Sequence, residues 1–169
     1  ARNRAPTLRA FLPDPSCLRD MDVAAERLAR AVASGETVTI YGDYDVDGIT
    51  STVILRRTLE LLGADVVHFV PERVRDGYGL QPATFDRLKG EGVQVVVSVD
   101  CGIRGAEAAR RARELGMDLI IPDHHEPVDE MAQAVVVVNP KRHDCPYPDK
   151  NLAGVGVVLS AGAPIVVAA

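Results

Sequence analysis

Three aspartates occupy alternate positions in the segment of residues 37–50, which reads TVTIYGDYDVDGIT. Asp43, Asp45 and Asp47 are followed directly by Gly48. Carboxylates this close in sequence repel one another, and a bound cation is the usual means of relieving the repulsion. The segment therefore predicts a site for a divalent metal ion.

Two other roles would suit the same aspartates. Aspartate is common in turns and at helix N-termini, so one or two of the three could serve only there. An EF-hand calcium loop also begins with this spacing, but it requires a glutamate at its twelfth position, where this sequence has Ile54. It also requires a helix before the loop, where a strand is predicted. The EF-hand is therefore rejected, and the turn role stays open.

The acidic segment is predicted to join a strand to a helix. The β-branched and aromatic residues 37–41 indicate a strand that stops at Gly42, and apolar residues then recur at helical spacing from Ile49 to Leu62. In an open parallel sheet, such a turn lies at the carboxyl end of its strand, where ligands bind.

Polar residues follow two later predicted strands in the same way. The valine-rich run 93–99, typical of a strand buried on both faces, ends in Asp100. The run 118–121 is followed by Pro122 and then by Asp123, His124 and His125. Because the carboxyl ends of parallel strands share one edge of a sheet, the three groups are expected to converge.

The combined ligand set indicates phosphate chemistry. Carboxylates mixed with imidazole suit Mn²⁺ or Mg²⁺, and they could also hold zinc or iron. This many carboxylates would neutralise two divalent ions, the arrangement used for in-line attack on phosphorus. The sequence lacks the G-x-S-x-G motif of acyl transfer and the P-loop motif. Metal-assisted phosphoester hydrolysis is the interpretation that the residues support.

The remaining pattern predicts an α/β fold with a doubly wound, mainly parallel sheet flanked by helices, because strands alternate with helices. Residues 1–16, which contain three prolines, are predicted to form an extended N-terminal arm before a single domain of residues 17–169. After Asn151 the chain is small and apolar without a clear period. Further strands are predicted at 66–70 and 134–138, and helices at about 20–33, 81–89 and 105–115.

Composition narrows the function classes. The net charge of −5 gives no basic surface for nucleic acid, although metal ions would reverse the local field. Three widely spaced cysteines indicate a reduced, cytoplasmic protein. Neither a signal peptide nor a membrane-spanning run is present in the sequence, so no membrane association is expected.

Two weaker candidates lie outside the acidic groups. Arg73 and Arg75, in the polar loop 71–80, suit phosphate contacts, but solvation of the loop explains them equally well. Gly154 and Gly156 could bind a phosphate through their backbone, yet a short G-x-G motif has many non-functional explanations.

Four motifs together resemble the DHH phosphoesterase family. YGDYDVDGIT, SVDCGI, PDHHEP and VNPKR followed by NLAGVGV match its signatures in order, from about residue 11 to about residue 158. The resemblance is closest to the RecJ-type branch of single-strand-specific DNA exonucleases. Family members that cut oligoribonucleotides, cyclic dinucleotides or pyrophosphate usually begin the first motif with a histidine and a proline instead.

The resemblance implies a two-metal, usually Mn²⁺-dependent exonuclease, with Mg²⁺ as the alternative ion. It would degrade single-stranded DNA from the 5′ end in recombination and repair, with single-strand-binding protein and a helicase as candidate partners. Two alternatives remain. The chain could be a phosphoesterase for oligoribonucleotides or small phosphorylated substrates, or a non-catalytic binding module with a degenerate site.

The resemblance also implies roles for individual residues. The metal ligands would be Asp45, Asp47, Asp100 and His124, with Asp100 bridging the ions and Asp43 acting as a ligand or supporting one. Asp123 would orient the ring of His124, and His125 would contact the scissile phosphate or protonate the leaving group. Substrate would be bound by Arg73, Arg75, Tyr78, His125, Asn139, Gly154 and Gly156.

One departure from the family pattern concerns the end of the chain. RecJ-type chains continue past the GVGV stretch into a helix, a further acidic ligand and a second domain, whereas this sequence ends at Ala169. The resemblance therefore implies that the domain is truncated, that its second metal site is incomplete, and that activity is weak or absent.

Overall fold

The structure, a computed structural model, describes residues 12–72 and 77–169 of the chain. Most of the predicted arm, residues 1–11, lies outside these ranges, as do Arg73 and Arg75. The end of the arm is not extended throughout, because Pro15–Cys17 form a 3-10 turn. Asp14 caps that turn by accepting a 2.9 Å hydrogen bond from the Ser16 backbone.

In residues 12–72 and 77–169, five strands form one sheet in which every neighbouring pair is parallel. In chain order the strands are β1 (Val38–Gly42), β2 (Val66–Phe69), β3 (Val95–Val99), β4 (Asp118–Pro122) and β5 (Val136–Val138). Their spatial order is β2-β1-β3-β4-β5. The predicted α/β fold with a doubly wound parallel sheet is confirmed.

Within the part of the chain that the structure describes, five helices cover both faces of the sheet. They are α1 (Met21–Ser34), α2 (Val46–Leu61), α3 (Pro82–Gly90), α4 (Ala106–Glu114) and α5 (Gly154–Ala168). The sequence did not predict α5, because a helix that is apolar nearly all round shows no amphipathic period. Among residues 12–72 and 77–169, no helix combines the length and apolar character needed to cross a membrane.

The core forms two layers, one on each face of the sheet. On one face, α1, α2 and α5 pack on the strands through Leu28, Leu55 and Val157, which cluster with Ile40 and Val97. Side chains alternate along a strand, so the opposite face carries the neighbours of these residues.

The second layer contains α3 and α4. Phe85 and Ala109 of these helices cluster with Val96 and Leu119 of the sheet. Every residue of β3 is buried, which explains why this strand is almost entirely valine.

The strand order fixes the place of the functional site. The chain passes from β1 outward to β2 and then returns to β3 on the other side of β1. The crevice between the carboxyl ends of β1 and β3 is the switch point at which open α/β sheets bind ligands. The turns that begin at Asp43 and at Asp100 both leave the sheet at this crevice.

Candidate active site

The turn after β1 places the first carboxylates. Asp43 is only 4% exposed. Asp45 caps α2, because its Oδ1 accepts a 2.9 Å hydrogen bond from the Gly48 backbone, and this bond lowers the pKa of Asp45. A Cβ on Gly48 would lie 2.4 Å from the carbonyl oxygen of Asp43, so only glycine fits there. Asp45 therefore caps the helix, as the turn interpretation predicted, and it also belongs to the acidic cluster.

Asp100, after β3, is the carboxylate with the most unusual environment. It is 1% exposed, and neither of its oxygens has a hydrogen-bond partner within the described residues. Its backbone has a φ of 62°, which is rare for a residue other than glycine. Burial, together with the neighbouring Asp45 carboxylate, raises the pKa of Asp100 to about 8. A buried carboxylate without donors is costly unless a cation is bound beside it.

Two sets of potential metal ligands share Asp100. Asp43, Asp45 and Asp100 offer oxygens that lie within 4.8 Å of one another, and so do the ligand atoms of Asp100, His124 and His125. The predicted convergence of three strand ends is therefore confirmed. The donor set of carboxylates and imidazoles is centred on Asp100, whose buried oxygens accept no hydrogen bond from the described residues, and it fits divalent ions.

His124 points toward the carboxylates. Its Nε2 lies 3.1 Å from Oδ1 of Asp100 and 3.9 Å from Oδ2 of Asp47. Asp47, a predicted ligand, therefore lies at the margin of the cluster rather than at its centre.

Asp123 organises the other histidine. Its Oδ1 accepts hydrogen bonds from the His124 backbone at 2.7 Å, from the His125 backbone at 3.1 Å and from His125 Nδ1 at 2.7 Å. Its Oδ2 accepts a 3.0 Å bond from the Ile103 backbone. The prediction that Asp123 orients the ring of His124 is wrong, because the ring nitrogen that reaches its buried oxygen belongs to His125.

The contact between Asp123 and His125 changes the pKa of each residue. Burial opposes ionisation of Asp123, but the hydrogen bonds from His125 and Ile103 prevail and lower its pKa. The hydrogen bond to Asp123 raises the pKa of His125. The ring of His125 is thus held in place and keeps its proton to higher pH.

Asn139 holds the loop that carries the two histidines. Its Nδ2 donates a 2.9 Å hydrogen bond to the His125 carbonyl, and its Oδ1 accepts one of 2.8 Å from the Lys141 backbone. Asn139 is fully buried, so it positions the histidine loop instead of presenting its amide to substrate. No local sequence signal indicates this role or the Ile103 contact, because both join distant segments.

Gly154 and Gly156 begin α5 against the site. A Cβ on Gly154 would lie 2.3 Å from Oδ1 of Asp100, so glycine is required for the helix to approach this carboxylate. A Cβ on Gly156 would lie 2.5 Å from Cδ1 of Leu152, which makes Gly156 a packing requirement. The two glycines therefore meet protein atoms where phosphate binding was predicted.

Tyr78 stands at the rim of the site with 58% of its surface exposed. Its ring contacts that of Tyr44 edge-on, with 6.4 Å between centroids. Burial and the nearby charge of Asp43 raise the pKa of Tyr78. A cavity of about 280 Å³ separates Tyr78 from the β3–α4 turn and also borders Asp123 and His125.

The model of the DHH family, N-terminal domain, matches residues 37–163, which include every ligand described above. The chain belongs to the DHH family. The order of the motifs had indicated this family, and the match extends through most of α5.

Curated proteins and solved structures resemble this chain over most of its length. The single-stranded-DNA-specific exonuclease RecJ of Bacillus subtilis (strain 168) is 44% identical over 146 residues, covering 86% of this chain and 19% of that protein. A crystal structure of exonuclease RecJ bound to manganese superposes with a TM-score of 0.80 and 33% identity, covering 88% of this chain and 37% of that one.

RecJ of Thermus thermophilus in complex with Mn²⁺ has a TM-score of 0.73 and 31% identity, covering 88% of this chain and 21% of that one. Its complex with Mg²⁺ has a TM-score of 0.56 and 28% identity, covering 97% and 18% respectively. The chain spans about a fifth of the length of the Bacillus subtilis relative.

Proposed function

We propose that this chain carries the catalytic site of a metal-dependent phosphodiesterase, a 5′-to-3′ exonuclease that acts on single-stranded DNA in recombination and repair. The observation that carries the proposal is Asp100, a buried carboxylate that accepts no hydrogen bond from the described residues and is shared by two sets of potential metal ligands. The names of the relatives support the substrate class, since they are single-stranded-DNA-specific exonucleases.

The ligand assignment follows the geometry. Asp43, Asp45, Asp47, Asp100 and His124 would hold divalent ions, and Asp100 belongs to both sets of potential ligands. Mn²⁺ or Mg²⁺ suits these ligands, and RecJ structures have been solved in complex with each of the two ions. When bound, the ions supply Lewis-acid polarisation of the phosphodiester and activate water for in-line attack.

His125 would act on the leaving group. Its Nδ1 is held by Asp123, so the ring presents a fixed orientation toward the cluster. Because its pKa is raised, His125 keeps its proton to higher pH than an ordinary histidine does, and it would donate that proton to the departing oxygen. Asp123 and Asn139 contribute by positioning the ring and its loop.

The cellular setting belongs to the same proposal. All three cysteines are free, which is typical of a reducing compartment and supports a cytoplasmic location. Single-strand-binding protein and a helicase are proposed as partners, because a single-strand exonuclease needs its substrate to be exposed.

A digestion assay with single-stranded DNA and Mn²⁺ tests the proposal, using both this chain and a longer protein in which this chain is extended to the length of its RecJ relatives. The Asp100→Asn variant should lose activity, whereas Asp65→Asn should keep it, because Asp65 lies before β2 at the opposite edge of the sheet. A preference for short oligoribonucleotides would contradict the substrate class. Absence of hydrolysis in the longer protein, with metal bound, would favour the non-catalytic module.

A further inference from the structure

The cavity beside His125 has the size of a subsite. Its volume of about 280 Å³ lies near the lower end of ligand pockets, which begin at about 300 Å³. Tyr78 and Leu80 form one wall, and the turn from Gly102 to Gly105 forms the other. Because Asp123 and His125 also line the cavity, a group bound inside it would lie next to the metal-ligand cluster.

The β3–α4 turn is fixed relative to that cluster. The Gly105 backbone N–H donates a 2.8 Å hydrogen bond to the Gly102 carbonyl, and the Ile103 N–H donates one of 3.0 Å to Asp123. Gly102 has a φ of 117°, and a Cβ there would lie 2.7 Å from Ser98 Oγ. The residue between these two hydrogen bonds, Arg104, therefore has a backbone position set by Asp123.

Arg104 is the one arginine or lysine among the described residues that line the cavity. It is exposed, and within residues 12–72 and 77–169 it makes neither an ion pair nor a hydrogen bond. Two arginines of the following helix α4 differ in this respect, since Arg110 and Arg111 both pair with Glu114. The donors of the Arg104 guanidinium are thus available to a ligand in the cavity.

The opposite wall supplies a stacking surface. Tyr78 lies between Gly77 and Gly79, whose φ values of 82° and 73° set the loop conformation. The Gly79 carbonyl accepts a 3.0 Å hydrogen bond from the Tyr41 hydroxyl, which fastens the loop to β1. The ring of Tyr78 is therefore held at the mouth of the cavity while more than half of its surface stays exposed.

We propose that Arg104 and Tyr78 form a subsite for a single nucleotide adjoining the scissile phosphodiester. The guanidinium pairs with a phosphate of that nucleotide, a contact for which arginine is well suited because its donors can be bidentate. The ring of Tyr78 packs against the base, as aromatic side chains do in proteins that bind single strands. The inference rests on the proposed function, because it assumes a nucleic-acid substrate at the metal site.

Charge explains why such a residue is needed. The edge of the sheet collects Asp43, Asp45, Asp47, Asp100 and Asp123, so a phosphate away from the ions would be repelled. A fixed cation on the side of the cavity that faces substrate would offset this repulsion for one phosphate. It would also favour a nucleotide over an uncharged nucleoside.

Calorimetric titration of the Mn²⁺-loaded protein separates the two contacts, with thymidine 5′-monophosphate, thymidine and inorganic phosphate as ligands. Arg104→Gln should weaken the binding of the monophosphate and of inorganic phosphate by about tenfold or more, because hydrogen bonds to a charged group are lost. The affinity for thymidine should not change. Tyr78→Leu should weaken the binding of thymidine and of the monophosphate by roughly fivefold to a hundredfold, because the base loses its stacking surface. The affinity for inorganic phosphate should not change. Arg110→Gln, which changes an exposed arginine of the following helix α4, is the control.

The inference is overturned if the parent protein binds no monophosphate at millimolar concentration, or if Arg104→Gln binds it as tightly as Arg110→Gln does. Equal weakening of all three ligands by Arg104→Gln would also overturn it, because a general structural role would then be sufficient. Single-strand digestion by the longer protein is measured in parallel. If the parent digests single-stranded DNA while Arg104→Gln binds the monophosphate as Arg110→Gln does, the subsite is wrong and the proposed function stands. If the parent does not digest single-stranded DNA, the proposed function itself is contradicted.

Discussion

Nδ1 of His125 lies 2.7 Å from a carboxylate oxygen of Asp123, a residue with no exposed surface at the end of β4. The adjacent His124 turns the other way, with its Nε2 3.1 Å from Asp100. Two consecutive histidines thus enter different environments. One faces the buried carboxylate shared by the ligand sets, and the other is held in a pair that favours its charged form.

This pairing predicts that Asp123→Asn lowers the pKa of His125. The hydrogen bond to a carboxylate is the main cause of the raised value, and an amide cannot stabilise the imidazolium in the same way. NMR titration of the metal-free protein measures the shift, and the chain has only four histidines to assign. In the longer protein the alkaline limb of the rate profile should move to lower pH, with a rate loss of about a hundredfold or more.

His68, which lies on β2 away from the cluster, is the internal control for that titration. An unchanged His125 titration in the variant would show that Asp123 does not govern the ionisation of this histidine.

Metal affinity should depend steeply on pH. Because the pKa of Asp100 is about 8, the metal-free protein holds a proton on this carboxyl near neutral pH, and an incoming ion must displace it. Mn²⁺ affinity, measured by calorimetry, should therefore rise as pH increases toward about 8. A pH-independent affinity over this window would contradict the assignment of Asp100 as a ligand.

The same ionisation should affect the stability of the metal-free fold in the opposite direction. The folded-state pKa of Asp100 is raised from 3.8 to about 8, so its contribution to stability is complete below the lower value and is lost as pH rises through the higher one. Melting temperatures of the metal-free protein should fall over this window, and the Asp100→Asn variant should show a shallower fall. Equal slopes for both proteins would contradict the shifted ionisation.

Gly154→Ala and Gly162→Ala should have opposite effects although both lie in α5. A Cβ on Gly154 would collide with Asp100 at 2.3 Å, so this variant should be destabilised and should bind Mn²⁺ more weakly. A Cβ on Gly162 would meet its nearest atom, Thr58 Oγ1, at 3.8 Å. Gly162→Ala should therefore gain about 0.5–1 kcal/mol in unfolding free energy from the lower backbone entropy of alanine. Identical effects in a denaturation series would mean that the contact with Asp100 does not govern the helix position.

Arg27 should contribute to the stability of the fold and not to metal binding. It is 8% exposed and bonds to Asp118 at 2.5 Å and to Glu36 at 2.7 Å, at the amino edge of the sheet. Arg27→Ala should lower the unfolding free energy by about 1–3 kcal/mol, less than for a fully buried pair because both carboxylates are partly solvated. Mn²⁺ affinity at neutral pH should not change, since the ion pairs lie at the opposite edge from the ligands. A loss of metal affinity would contradict this separation of edges.

The sequence was sufficient to place the carboxylates and histidines at strand ends, because strand-to-helix turns leave local signals. It was insufficient for α5, where apolar residues surround the helix and no period marks it. It also misassigned the Asp123 contact, since the choice between two consecutive rings depends on side-chain directions rather than on spacing. The sequence led to the prediction that Gly154 and Asn139 bind substrate. In the structure, Gly154 lets the helix approach Asp100, and Asn139 holds the histidine loop.

The central claim is that Asp100 serves both sets of metal ligands. Mn²⁺ titration followed by electron paramagnetic resonance tests it most directly, using the parent and the variants Asp100→Asn, Asp45→Asn and His124→Ala. Asp100→Asn should abolish nearly all specific Mn²⁺ binding, while Asp45→Asn and His124→Ala should each retain part of it, because each removes a ligand from one set alone. If Asp100→Asn binds as much Mn²⁺ as the parent and with the same affinity, the shared ligand does not exist and the two-ion account is contradicted.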